Sequence, residues 1–479
     1  MTLPMRTTPY AHQQEEWDIS REMPTRAVFW EQGTGKTKLV LDTFFDMDRQ
    51  GLVDGLLVVA PNGVHENWMA NEIPKHAWHH NYLAFAYQSH RASTKWHQRA
   101  VQDVIDTPKL AALFMSYDGF MTEKGTKVAK KFLEKRKTLY VLDESQRIKT
   151  PSAKRTKRIV ASGKYAAFRR ILSGTPVTNK PFDIYTQMRF IDPDFWKDRG
   201  YASYEAFKTY FGVWEDRITE TGQRFKTCLY YKNLEQLHAM VDEVSSRVLK
   251  ADVLDLPPKI YTKRYFELSA DQKKRYRDIK EDFCTELESG ELIAAPLIIT
   301  QLLRLQQITC GYLPRDDEGP MVRFPQNPRL KALLDTLADV EGKAIIFARF
   351  RQDLDQICKE LGKLAVRYDG GVEPAKRKEA IDRFQDPDDP VRFFVGNPAA
   401  CATGLTLTAA KTVIYYSNSF DWEHRTQSED RAHRIGQESS VNYIDLIATG
   451  TVDTRIVQSL RDKDAIATKI TGDNARDWL

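Results

Sequence analysis

Cysteine is scarce in this sequence. Its five residues (Cys228, Cys284, Cys310, Cys358 and Cys401) are scattered and form no CxxC pair. That excludes a zinc ribbon or a disulfide framework as the organising device and fits a reducing compartment. Long apolar runs are missing too. None approaches the roughly 18 residues that a membrane span needs, and the opening MTLPMRTTPYAHQQ has no apolar h-region of a secretory signal. A dominant sign of charge is also lacking, with 71 Lys and Arg against 66 Asp and Glu, a net +5. Such a balance permits a nucleic-acid partner without requiring one. What is present is an ordinary globular composition, 42% apolar and 29% charged over 479 residues. A chain this apolar buries cores, so disorder is excluded as its main state. Its length predicts about three domains.

Short apolar runs rich in β-branched residues recur along the chain. The first set is AVFW (27–30), LLVVAP (56–61), LAALFMSY (110–117), TLYVLDES (138–145) and RRILSGTP (169–176). Helix-like stretches separate them, which predicts a parallel α/β sheet of βαβ units. A second set runs from KAIIFARF (343–350) to VNYIDLIA (441–448). The organisation expected is a first lobe over 1–190, a helical subdomain and hinge over 191–258, a second lobe over 259–450 and a closing helix over 451–479. The second lobe carries a helical insertion at about 270–325. The tandem prolines of LPP (256–258) mark the boundary between the lobes.

The sharpest local pattern is EQGTGKTKLV (31–40), between a predicted strand and a predicted helix. Glycines let the backbone wrap a phosphate, and the helix N-terminus turns its N–H groups towards the anion. Gly33, Thr34 and Gly35 would cradle it. Lys36 would reach the β- and γ-phosphates of ATP, and Thr37 would hold Mg²⁺. The full P-loop pattern wants glycine at position 30, where this chain has Trp30. Taken alone, the loop also fits a structural turn. Asp143 and Glu144 alone would also fit a capping pair for the next helix, but an acidic pair at the end of a buried strand is where such enzymes hold Mg²⁺ and activate water, and the two signals in strand–motif–helix order support each other. Asp143 would bind the metal, partly through water, and Glu144 would deprotonate the attacking water. Further on, Gln427, Arg431 and Arg434 fall at offsets 0, +4 and +7, one face of a predicted helix. They read as an arginine-finger pair for the γ-phosphoryl, or else as a solvated basic face.

In this order the motifs resemble those of the Swi/Snf-type DNA translocases of helicase superfamily two. PYAHQ (9–13) resembles the adenine-reading Q motif, with Gln13 the reader. WEQGTGKT (30–37) looks like motif I, VVAPNGVHENWMANEIPKHA (58–77) like motif Ia, and DESQRIKTPSAKRTK (143–157) like motif II. LSGTPVTNKPFDIYTQMRFIDPDFW (172–196) is similar to motif III, AIIFARF (344–350) to motif IV, and ATGLTLTAAKTVIYY (402–416) to motif V. FDWEHRTQSEDRAHRIGQ (420–437) resembles motif VI. The resemblance implies two RecA-like lobes, ATP bound by lobe one, with Gly404, Arg431 and Arg434 completing the site. It implies Ser173, Thr175, Gln146 and Gln427 as coupling residues. Double-stranded or branched DNA would be contacted at Pro61, Asn62, Arg349 and Thr406, mostly on its backbone, because base readout would stall a motor. Two departures stand out. Motif II has Gln146 where the family has histidine, and motif V lacks a glycine pair near Ala400 and Cys401.

Three features are weighed against blander readings. Residues 147–170 hold nine Lys and Arg and no acid, either a phosphate-facing stripe or a solvated helix face. HAWHH (76–80) lacks metal-ligand spacing and reads as a surface cluster. Trp422 reads as packing behind motif VI rather than touching DNA. A strand-separating DNA or RNA helicase and an ATP-regulated DNA clamp remain open beside the duplex motor. The expected setting is a monomer without a membrane partner, cytoplasmic in a prokaryotic or viral host cell, or nuclear if eukaryotic.

Overall fold

The computed structural model describes residues 5–218, 224–288, 295–313, 322–401 and 405–471. Two compact units emerge, one built chiefly on Met1–Val213 and Tyr230–Asp255, the other on Trp214–Leu229 and Leu256–Asp464. Among the described residues no helix is long and apolar enough to cross a membrane.

The first unit is a seven-stranded sheet. Its strands are β1 (Thr25–Trp30), β2 (Gly55–Ala60), β3 (Tyr82–Tyr87), β4 (Leu110–Ser116), β5 (Thr138–Asp143), β6 (Phe168–Leu172) and, after a two-stranded hairpin of β7 (Gly212–Ile218) and β8 (Arg224–Tyr231), β9 (Ser245–Val248). Their order is β3-β4-β2-β5-β6-β1-β9, every neighbouring pair parallel. Parallel strands need crossover helices, which cover both faces and explain the continuous apolar runs. β2 is buried along its whole length. Helix Lys36–Arg49 is one such crossover, burying Leu39, Leu41, Phe44 and Phe45. Gly51 ends it in a left-handed turn, φ 67°, that lets Leu52 N–H reach the Met47 carbonyl at 2.8 Å.

The segment expected to be helical, 191–258, is mixed. It contains helices Tyr204–Phe211 and Leu234–Asp242, but also the hairpin and β9. β9 pairs with β1 from Ala27↔Ser245 to Trp30↔Val248 and completes the first sheet. Four residues are too few to show a strand period, so the pairing was hidden.

The second unit carries six parallel strands in the order β10-β17-β16-β13-β15-β14. These are β10 (Lys259–Phe266), β13 (Lys343–Phe347), β14 (Ala365–Tyr368), β15 (Phe393–Gly396), β16 (Ala410–Tyr415) and β17 (Val441–Ala448). Between β10 and β13 lie helices Ala270–Glu288 and Ala295–Thr309 and a minimal pair, β11 (Tyr312–Leu313) with β12 (Val322–Arg323). Helix Val452–Thr471 follows β17. Two tandem parallel sheets with helical insertions are the α/β architecture expected from the sequence.

Candidate functional site

The glycine loop leaves the C-terminal end of β1 and opens helix Lys36–Arg49. Gly33 and Gly35 have φ of 84° and 90°, a region where a Cβ is strained. A Cβ on Gly35 would also lie 2.0 Å from Gln13 Nε2. Gln13 Nε2 donates to the Gly35 carbonyl (3.0 Å), and its Oε1 accepts from the Tyr10 backbone N–H (2.8 Å). His12 Nε2 pairs with the Thr34 carbonyl at 2.8 Å. Gln13 is therefore tied directly to the glycine loop. Lys36, nearly buried, donates from Nζ to the carbonyls of Trp30 (2.7 Å) and Glu31 (3.0 Å). Trp30 is accommodated where the pattern wants glycine because it ends the strand. Its ring is fully buried and Nε1 donates to Ser246 Oγ on β9 at 2.9 Å. Thr37 is half-buried at the second position of the helix.

Two strands away, β5 ends in Asp143, and Glu144 takes a left-handed turn, φ 55°, ψ 57°. Such a conformation costs a non-glycine residue about 1 kcal/mol and is concentrated at functional positions. Burial and the neighbouring Glu144 charge push the Asp143 carboxyl up to about 6, against the pull of the Trp68 indole and Lys36. Trp68 Nε1 donates to Asp143 Oδ2 at 2.9 Å. Sequence reasoning missed Trp68; it starts a π-helical turn, Trp68–Glu72, of a kind that often marks a functional position. Glu144 accepts from Gln32 Nε2 (3.2 Å) and from Gln146 Nε2 (2.8 Å). Gln146 Oε1 in turn accepts from Ser173 Oγ (2.7 Å), which accepts from the Thr175 backbone N–H (3.0 Å). Glu144, Gln146, Ser173 and Thr175 are thus one hydrogen-bonded chain from the end of β5 to the loop after β6. The donors offered by Thr37 and Asp143 are hard oxygens, which suit Mg²⁺. Among the described residues no group of three or more His, Cys, Asp or Glu could hold a metal unaided. A magnesium held by two side chains and substrate phosphates needs no such group.

In the second unit the expected continuous helix through Gln427, Arg431 and Arg434 is not formed. The helix is Trp422–Glu429, and both arginines lie in the turns beyond it. Arg431 Nε returns to the Gln427 carbonyl at 2.8 Å and so satisfies the helix end. The two guanidinium groups nevertheless converge. Arg431 Nη1 and Arg434 Nη1 both donate to the Leu405 carbonyl, at 3.3 and 2.8 Å. Gln427 is buried and bonds Glu423 at 3.3 Å. Trp422 is buried too. A buried ion network anchors this helix. Arg425 reaches Glu429 (2.7 Å) and Asp445 (2.6 Å) and lies 3.5 Å over the Tyr415 ring. Lys259 and Tyr261 close on Glu429 from β10. The signal was the i, i+4 spacing of Arg425 and Glu429, with distant partners on β10 and β17.

Of the expected DNA contacts, Asn62 is exposed and Pro61 buried in the loop after β2. Thr406 is exposed beside Leu405. Arg349 is half-buried, its Nη1 donating to Gln306 Oε1 at 2.5 Å. Gly404 lies outside the described residues. The histidines of HAWHH have separate partners, His76 with Thr7 Oγ1 (2.9 Å) and His79 with Asp48 (3.1 Å).

The SNF2-related domain matches residues 12–311 and the helicase conserved C-terminal domain residues 328–436. The chain belongs to the SNF2-related family. An uncharacterized ATP-dependent helicase of Mycoplasma genitalium is 26% identical over 452 residues, 92% of this chain and 39% of that protein. The DNA annealing helicase and endonuclease ZRANB3 of Homo sapiens is 30% identical over 328 residues, 66% of this chain and 28% of that protein. Matches of this SNF2-related chain span 19% to 39% of its curated relatives' lengths. The Sulfolobus solfataricus SWI2/SNF2 ATPase core in complex with dsDNA aligns over 98% of this chain and 96% of that one, at 24% identity and a TM-score of 0.42.

Proposed function

We propose that this SNF2-related chain is a DNA-dependent ATPase that uses hydrolysis to move along double-stranded DNA, remodelling DNA structures or protein–DNA complexes. The observation that carries the reading is the chain Glu144–Gln146–Ser173–Thr175, which ties the base beside the glycine loop to a segment outside it. A plain phosphate-transfer site has no use for such a tie; a motor must report nucleotide state.

In this reading Gly33, Thr34 and Gly35 bind the phosphates and Gln13 the base. Lys36 exchanges its loop carbonyls for the β- and γ-phosphates. Glu144, oriented by Gln32 and Gln146, takes a proton from the attacking water. Arg431 and Arg434, which meet at the Leu405 carbonyl, offer paired positive charge of the kind that stabilises a phosphoryl group. Mg²⁺, held by Thr37 and Asp143, would offset phosphate charge. Family membership supports ATP and DNA as ligands.

Lys36→Ala and Glu144→Gln are expected to cut ATP hydrolysis by at least about 100-fold while circular dichroism stays unchanged. ATPase rates against single-stranded, duplex and forked DNA and RNA test the substrate. Full DNA-stimulated turnover by Glu144→Gln would overturn the mechanism. Stimulation by single strands alone would favour a strand-separating helicase. DNA binding with negligible turnover would favour an ATP-regulated clamp.

A further inference from the structure

The C-terminal edge of the first sheet has two ends. The glycine loop, the acidic pair and the loop after β6 occupy the end at β1, β6 and β5. The other end, at β2 and β4, carries a second constellation. Asn62 follows β2, Asp118 follows β4, and Arg155 is the second residue of helix Lys154–Ser162. Asp118 accepts from both: Asn62 Nδ2 on Oδ2 at 2.8 Å and Arg155 Nη2 on Oδ1 at 2.6 Å. The carboxylate is 62% exposed and the arginine side chain 31%. An amide and a guanidinium aimed at two oxygens of one exposed anion are the donor set of a phosphate site.

The arginine is held from behind. Its guanidinium lies 5.8 Å over the Tyr117 ring. Its Nε is buried with no hydrogen-bond partner among the described residues. Tyr117 in turn donates its hydroxyl to the Asp143 carbonyl at 2.9 Å. The same side chain that backs the arginine therefore touches the strand end that carries the acidic pair. Lys154, Lys157 and Arg158 on the same short helix are exposed, so the surroundings favour an anion.

We propose that Asn62 and Arg155 form a backbone-phosphate site for nucleic acid, and that Asp118 is its built-in competitor, occupying the donors until a phosphate displaces it. The proposal rests on the DNA-motor reading and adds to it a gripping residue, Arg155, and a releasing one, Asp118. A motor must let go at every step. A resident carboxylate lowers the cost of release, because the donors lose one anion and regain another. Surface ion pairs of this kind are worth little on their own, so exchange is cheap in both directions.

The test is duplex binding by the full chain without nucleotide, read by fluorescence anisotropy over a salt series. Asp118→Asn should tighten binding roughly 2- to 5-fold. It should also steepen the dependence of log affinity on log salt, by about 0.9 per phosphate newly neutralised. Arg155→Ala should weaken binding. In the Arg155→Ala background the gain from Asp118→Asn should shrink, and with Asn62→Ala added it should vanish, because both donors it frees are then gone. A gain that persists with both donors removed would mean a long-range charge effect and overturn the proposal. So would a lower melting temperature with unchanged affinity, which is a purely structural clamp. If the unmodified chain fails to bind duplex DNA at all, the motor reading falls first. If it binds and Asp118→Asn does not tighten it, only the clamp falls.

Discussion

Gln146 shows what a single residue has to do here. It donates to Glu144 and accepts from Ser173 at the same time, which an amide does without choosing a tautomer. A neutral histidine, the family's residue, could do the same through its two nitrogens, but a protonated one could not accept. The substitution keeps the connection and removes a titrating group from beside the base. Another titrating group survives elsewhere. Asp353, in the second unit, is fully buried, and burial pushes its carboxyl up to about 7. Ser417 donates to it at 3.2 Å. A folded pKa above the unfolded one means the native state holds the proton more tightly, so stability falls as pH rises from about 4 to 7. Asp353→Asn is expected to stabilise the protein at pH 8, by on the order of 2 kcal/mol. The gain should disappear near pH 4, as thermal melts at the two pH values would record. At this scale Lys36 and the pair Asp143 and Glu144 could be singled out in the sequence, because each falls in a short pattern of fixed spacing at the end of an apolar run. Trp68, Gln32 and Asp353 could not, since each acts on a group that only folding brings near.

Elements were legible where a physical period was long enough to read. The apolar runs became the central strands because parallel strands are buried on both faces. The run through Gln427, Arg431 and Arg434 has helical spacing, yet the helix stops at Glu429. The Arg431 side chain then takes the Gln427 carbonyl, while backbone N–H groups of the following turns reach those of Ser428 and Glu429. What holds that helix is the buried network of Arg425, Glu429, Asp445 and Lys259. Removing one partner of a buried network leaves the others uncompensated, at about 3–5 kcal/mol. Arg425→Met keeps the apolar stem over Tyr415 and should lower stability by that order in urea denaturation. It should also loosen the segment that presents Arg431 and Arg434, so hydrolysis would fall in molecules that remain folded.

For the whole molecule the small net charge of +5 is compatible with a DNA motor. A chain that must grip and release needs localised cations beside acids, as Arg155 and Asp118 are, more than a uniformly basic surface. If it moves along duplex DNA without opening it, it should displace a triplex-forming third strand with ATP and leave a forked duplex paired. Gel assays on the two substrates separate these outcomes, and unwinding of the fork would favour the strand-separating alternative.

The strand β9 has a mechanical consequence. It lies beside β1, and the Glu31 N–H, the first of the glycine loop, donates to the Val248 carbonyl at 2.9 Å. Two residues later the Lys250 N–H is fixed to the Glu31 carboxylate at 2.6 Å. The chain that leads onward to Leu256 is therefore tethered at the root of the phosphate loop, with only a few residues of slack. A shift of the loop root would have to carry Val248 and Lys250 with it or break both bonds. The loop root and the Lys250 backbone, some two hundred positions apart in sequence, are thus fastened to each other.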